Sequence, residues 1–377
     1  MLLIFGFIGI SPACAEWRLN GLPFGNFTAD KGIGYGVYVA ALDRAPKNNP
    51  PYTLSIGGQY YETTGGYAFH KFMVDYPSSI ARFTLTSGWE NWGTAPYFGD
   101  GAQSVREIQR EDSWYTVDLG SLWLQPQVRL PVSDDWQVFI QNTFRHAFVQ
   151  QNDNLLARER PTGFQGGRYV AWTLGLMHDT RNAEPTPSRG YWSEVSVTMA
   201  SPYSGSEFTS FATNITHRHW WSLSQQGRWV LASRTAADHQ SRTPFFQKSA
   251  LSGSQWLELG GHSLLRGLET GRLRGAFKLI QTIELHRRGQ KFSLWSRSLV
   301  PMIVFMTDFA IIGEDPKEAL QTNAISGSMG LGTRLEIDGG FVLRFDGGFA
   351  PEKVVDETGQ STWRLRKGVY FIIGHSF

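Results

Sequence analysis

The chemistry this chain could perform gathers around one arginine. Arg266 stands in the tripeptide Leu265-Arg266-Gly267, shortly after the pair Gly260-Gly261. It lies in a stretch from Gln240 to Leu273 that has no strand or helix pattern of its own, and such long stretches usually carry function or are disordered. The strand that follows places Lys278, Thr282, Glu284 and His286 on one face, with Phe277, Leu279, Ile283 and Leu285 on the other. Period-two alternation of this kind marks a strand that is apolar on one side and polar on the other. An arginine in a glycine-bounded loop, followed at once by a strand with a glutamate on its polar face, reads as a loop folded back and held by charge. A guanidinium is a planar fork of donors that matches a carboxylate, so this chemistry is attachment rather than catalysis.

Other reactive combinations are weaker. His262-Ser263 is an adjacent pair, but a hydrolase needs serine, histidine and an orienting group brought together in space, and no Gly-x-Ser-x-Gly elbow is present. His217 and His219 share one strand face without a third ligand, which reads as interfacial or lumenal histidines rather than a metal site. Asp179 with Arg181 and Arg189 reads as a turn staple, and Asp134-Asp135 as a solvated turn. No catalytic residue, cofactor or metal is implied. The chain has 35 Lys+Arg against 33 Asp+Glu, a formal net charge of +2, so no nucleic-acid surface is implied either.

These residues need elements to position them, and the elements are strands. Charged residues make up 18 % of the chain and aromatic residues 14 %, with 41 glycines. After Trp17, runs of about ten residues alternate with Gly, Pro, Asn and Asp clusters. Fifteen runs are readable, from Ile33–Leu42 through Ala276–Arg287, Leu299–Gly313, Ala324–Asp338 and Phe341–Pro351 to Lys367–Phe377. Their polar faces carry Lys, Arg, Asp and Glu at mid-strand, which suits a wet lumen. Trp89, Trp92, Trp114, Trp136, Trp220, Trp221 and Trp229 fall near strand ends, as interfacial girdles require. The expected fold is all-β: a transmembrane antiparallel β-barrel over residues 16–377. Bacterial single-chain barrels have even strand numbers, so sixteen strands are expected, one of them not read. The longer loops are Gly93–Ser113, Gln150–Arg168 and Gln240–Leu273.

Residues 1–15 read as a secretory signal peptide truncated at its N-terminus. Leu2–Ile10 is an apolar core, Ser11-Pro12 breaks it, and Ala13-Cys14-Ala15 supplies a small-x-small cleavage pattern. Cleavage after Ala15 would remove the chain's one cysteine. A cysteine-free exported barrel points to the bacterial outer membrane, with outer-membrane lipids and lipopolysaccharide as its surroundings.

Five segments resemble the BamA/TamA insertase superfamily, the bacterial surface antigen barrels. They are Leu265-Arg266-Gly267; Asp179-Thr180-Arg181-Asn182 with Pro187-Ser188-Arg189-Gly190-Tyr191; Val304-Phe305-Met306-Thr307-Asp308; Gly330-Leu331-Gly332; and the C-terminal Tyr370, Phe371 and Phe377. The resemblance covers residues 170–377 best. It implies that the loop Gln240–Leu273 is extracellular and folded into the lumen. It implies also that Arg266 pairs with Asp308 with Glu284 close by, that Gly330 and Gly332 on the wall leave room opposite the loop, and that the terminal aromatics form an insertion signal. Two departures stand out. The periplasmic POTRA modules are expected to be missing, and Leu268 stands where the family has an aromatic, which should weaken loop packing. The implied function is insertion or translocation of proteins at the outer membrane, through a seam between first and last strands. Client outer-membrane or secreted proteins and a separate periplasmic protein would be the partners. The alternatives are an accessory barrel working with such a partner, or a passive diffusion pore.

Overall fold

The computed structural model describes residues 17–373 except 29–30, 46–49, 51, 103, 151–152, 295–296, 321–324 and 340. The expected signal peptide and Phe377 therefore lie outside the described residues. Sixteen long strands follow one another in chain order. The first eight are β1 (Trp17–Thr28), β2 (Gly32–Arg44), β3 (Tyr52–Thr63), β4 (Tyr67–Pro77), β5 (Arg82–Pro96), β6 (Thr116–Pro131), β7 (Trp136–Gln150) and β8 (Gly166–Asp179). The second eight are β9 (Gly190–Ala200), β10 (Ser210–Ser222), β11 (Trp229–Ser241), β12 (Phe277–Arg288), β13 (Arg297–Gly313), β14 (Ile325–Ile337), β15 (Phe341–Val355) and β16 (Ser361–Ile373). Each pairs antiparallel with the next.

The strand that alternation missed is β1. Asn20, Gly21, Pro23, Gly25 and Asn26 dilute its apolar face, so its pattern is faint. Pairing makes it a strand, in unbroken register with β2 from Trp17↔Asp43 to Thr28↔Gly32.

The wall is inverted relative to a water-soluble protein. Leu279, Ile283, Phe305, Phe309, Leu331 and Phe345 are exposed on its outer face, while Lys278, Glu284, Asp308, Arg334, Arg344 and Asp346 are buried on its inner face. That is the arrangement a lipid solvent selects, because apolar side chains there meet lipid and ladders satisfy the backbone. The tryptophan girdle holds for Trp136, Trp221 and Trp229, which are exposed at strand ends, but not for Trp89, exposed in the middle of β5, nor for Trp92 and Trp220, which are buried. Parity explains this: Trp220 and Trp221 are consecutive and must point to opposite faces.

Connections alternate between two ends. One carries residues 97–115, 242–276 and 314–324; the other has tighter turns such as 132–135 and 223–228. In outer-membrane barrels the long-loop end is extracellular.

Two strands differ from the rest. Among the described residues no ladder joins β1 to β16, although every other neighbouring pair of long strands has one. The Asn26 side chain spans this gap, donating from Nδ2 to the Phe371 carbonyl at 3.1 Å. Its Oδ1 accepts from the Tyr61 hydroxyl at 2.9 Å, which holds the amide across the seam.

Candidate functional site

Residues 242–276 leave β11, form a helical turn at Phe245–Lys248 and descend into the lumen before β12 begins. A buried loop must find partners for its own backbone, since an unpaired buried N–H or C=O is costly. The charged inner wall supplies them. Glu194 on β9 accepts from the Ser254 amide at 2.8 Å, Asp238 on β11 from the Ser252 amide at 2.8 Å, and Asp308 on β13 from the Arg266 amide at 3.2 Å. Cations serve the carbonyls: Arg344 donates to His262 O at 2.7 Å and Arg145 to Phe246 O at 2.8 Å. The mid-strand charges are thus ligands for a folded-in loop rather than the lining of an open channel.

Arg266 sits at the tip, flanked by Leu265 at φ 53° and Gly267 at φ 114°. Its Nη2 lies 2.8 Å from Glu284 Oε1 and 3.7 Å from Asp308 Oδ1, all three groups being essentially buried. The nearer carboxylate is therefore Glu284, while Asp308 chiefly holds the loop's main chain. Register explains the division. Thr282 pairs with Asp308 across β12 and β13, so Glu284 lies one inward position along from that carboxylate. Glu284 is also a hub, with Oε2 2.8 Å from Arg334 Nη2 and 2.8 Å from His286 Nε2. The Ser328 hydroxyl donates to Asp308 Oδ2 at 3.0 Å. Arg266 Nη1 lies against the Met306 sulfur.

The glycines divide differently from expectation. A Cβ on Gly332 would meet the Asp346 carboxylate and Met306, and one on Gly330 would meet the Gly347 carbonyl and Met306, so these two make room within the wall. The residue that admits the loop is Gly348, where a Cβ would fall 2.5 Å from both C and O of Arg266. It was missed because Gly347-Gly348 looks like any strand glycine pair. Gly348→Ala is expected to destabilise the barrel by about 1–3 kcal/mol through overpacking, lowering the temperature at which the folded band is lost on gels. Gly347→Ala, with only Leu331 O at 3.8 Å from its Cβ, is the near-neutral control. Equal effects would separate the loop from Gly348.

Tyr370, read from the sequence as part of a terminal signal, also faces the loop. Its hydroxyl accepts from the Gly267 amide at 3.0 Å and donates to Leu268 O at 3.4 Å. Leu268 is itself buried, packed with Leu251, Leu259, Leu264, Leu265 and Ile280. Leu268 thus takes part in a leucine cluster at the place where the family has an aromatic. Phe371 takes part through its carbonyl at the seam.

The turn between β8 and β9 forms a second charged cluster. Arg181 grips Asp179 in a fork, at 2.8 and 2.6 Å, and reaches Glu184 Oε1 at 2.6 Å. Arg82, at the start of β5, contacts Glu184 Oε2 at 3.1 Å and Asp75 Oδ2 at 2.7 Å. Asp75, Arg82 and Glu184 have no motif in sequence; the β4–β5 hairpin sets Asp75 beside Arg82, and only the curvature of the wall brings the Glu184 turn to them. Arg189 is exposed, and its amide rather than its guanidinium is engaged, donating to Asn182 Oδ1 at 3.0 Å. Gly190 is required at φ 96°, where a Cβ would strike Thr180 O.

Burial pushes the Glu184 carboxyl up, but Arg82 and Arg181 outweigh it and hold it down at about 2. Its pairing therefore stabilises the turn fully above the ordinary value of 4.5 and is lost as pH falls through about 2. The thermal midpoint of the detergent-solubilised barrel should fall across that window, and Glu184→Gln should make the fall smaller. Midpoints of parent and variant that fall in parallel would refute the assignment.

His262 is engaged through its main chain, and no hydrogen bond links its ring to Ser263 among the described residues. Between the loop and the wall beside the seam lies a cavity of about 580 Å³, bordered by Asn26, Tyr61, Lys71, Trp123, Trp256 and Phe371.

Comparison with known proteins agrees with this architecture. The Omp85 superfamily domain matches residues 82–377. The chain is similar in structure to BamA from Haemophilus ducreyi lacking POTRA domains 1–3, with 12 % identity and a TM-score of 0.56 over 96 % of this chain and 70 % of that one. It is similar also to CdiB from Escherichia coli, with 12 % identity and a TM-score of 0.53 over 94 % of this chain and 62 % of that one. The chain thus spans less than two thirds of the CdiB structure, and at these identities the likeness shows the fold. No curated protein matches the chain.

Proposed function

Because this chain belongs to the Omp85 superfamily, an outer-membrane β-barrel group, we propose that it takes part in inserting or translocating proteins at the bacterial outer membrane, with the junction of β1 and β16 as the working seam. The observation that carries this reading is the missing ladder between those strands among the described residues, bridged by the Asn26 side chain. An unpaired strand edge is a template for another strand, and a client segment can add to it through main-chain hydrogen bonds. The barrel does this without covalent chemistry. The latch of Arg266, Glu284 and Asp308 keeps the loop seated, so that the lumen keeps its shape while the seam parts. Gly190 with the Asp179–Arg181 fork stabilises the periplasmic turn, and the terminal aromatics, Phe377 included, direct assembly. Client outer-membrane or secreted proteins would come from a separate periplasmic partner.

A loop held by three wall carboxylates argues against a passive pore. The test is a reversible lock, with cysteines on β1 and β16 beside Asn26 and client assembly as the readout. Assembly lost under oxidation and restored by reduction supports a gate. Indifference to the lock leaves an accessory barrel as the better account.

A further inference from the structure

We propose that the outer wall at the periplasmic end of β7–β12 is a docking surface for anionic phospholipid. Five rings from four strands form a continuous row there. Trp136 stacks on His178 at 4.3 Å, His178 meets Tyr191 edge-on at 5.0 Å, Tyr191 lies 5.8 Å from His219, and His219 stacks on Trp221 at 3.9 Å. Aromatic rings at a membrane interface are ordinary. Imidazoles among them are not, because each carries ring nitrogens that need partners.

Among the described residues, the rings of His178 and His219 make aromatic contacts but no hydrogen bonds, and the His217 ring uses only Nδ1, at 2.8 Å from the Ser193 hydroxyl. Polar nitrogens on a lipid-facing wall are satisfied by what lies in the headgroup layer. Phosphate and glycerol oxygens are the acceptors there.

Charge selects among headgroups. Arg287 is exposed on the outer face of β12, its guanidinium 5.1 Å over the Trp229 ring. Arg189 and Lys291 are exposed in the turns on either side, and none of these three cations has an ion pair among the described residues. The carboxylates of this rim do not cancel them. Asp179 and Glu184 are engaged by Arg181 and Arg82, and Asp134 and Asp135 lie in the turn before Trp136, at the far end of the row. The periplasmic leaflet of an outer membrane is phospholipid, so the ligand is a lipid with a net negative headgroup, phosphatidylglycerol being the simplest. Basic residues near such lipids attract them strongly and additively.

The test is native mass spectrometry of the full-length barrel in detergent, with equal amounts of phosphatidylglycerol and phosphatidylethanolamine as competing probes. The parent protein should retain phosphatidylglycerol preferentially. Arg189→Gln with Arg287→Gln should reduce that preference by about fivefold per cation removed, and Lys317→Gln, an exposed charge at the extracellular end, should leave it unchanged. Heat-shifted gel mobility confirms that each variant is folded. Equal retention of the two lipids by the parent protein overturns the proposal without any variant. So does a preference that survives the double substitution, or one lost equally in Lys317→Gln, which would report net charge rather than this surface.

Discussion

Glu284→Ala is expected to destabilise the barrel by about 3–5 kcal/mol, the cost of breaking a buried ion pair from one side. The reason is its number of partners. Glu284 faces Arg266, Arg334 and His286 at once, and removing it leaves two guanidinium groups buried together without their shared anion. The loop tip should then come loose. Single-channel conductance should rise, and the urea midpoint for losing the folded gel band should fall. Asp308→Asn should do less, because an amide oxygen can still accept from the Arg266 main chain and the Ser328 hydroxyl. The order of effects is therefore Glu284→Ala well above Asp308→Asn. If Asp308→Asn proves the more damaging, the guanidinium's principal partner has been misassigned and Asp308 is the anchor. Glu284→Gln should fall between them, since it keeps shape and loses charge.

Locking β1 to β16 is expected to abolish client assembly while leaving stability unchanged or higher. Backbone groups without partners in a bilayer cost several kcal/mol each, so a wall will part first at the junction with the least pairing. Among the described residues, Asn26 supplies one side-chain hydrogen bond where neighbouring strands supply a ladder. A disulfide there replaces that bond with a covalent link, and with Cys14 as the only native cysteine, an engineered pair is easily controlled. The decisive comparison is one protein before and after reductant, in which folding is held constant and only the seam changes. Activity that persists through full oxidation would remove the gate and leave the barrel to act by its loops or its partners. Asn26→Ala should act in the opposite direction, easing separation and lowering thermal stability modestly, on the order of 1 kcal/mol for one hydrogen bond.

Much of this was legible from the order of residue types. Period-two alternation with charges on one face and Phe, Leu and Ile on the other identified a membrane barrel, because no dry core would accept Lys278, Glu284, Arg334 and Arg344 together. The even-number rule supplied a sixteenth strand that alternation could not see. Arg266 was singled out by its glycine-bounded loop, Glu284 by its place on the polar face of the next strand, and Asp308 by the family resemblance. Only the tertiary structure decided how these groups divide their work, since that depends on register between strands. Pairing Thr282 with Asp308 turns Glu284 into the guanidinium's closer partner and Asp308 into an acceptor for the main chain. The same holds for Gly348, Tyr370 and the Arg82–Glu184 contact. Each joins positions far apart in the chain, and a linear pattern records which face a residue takes but not which residue the closing wall sets against it.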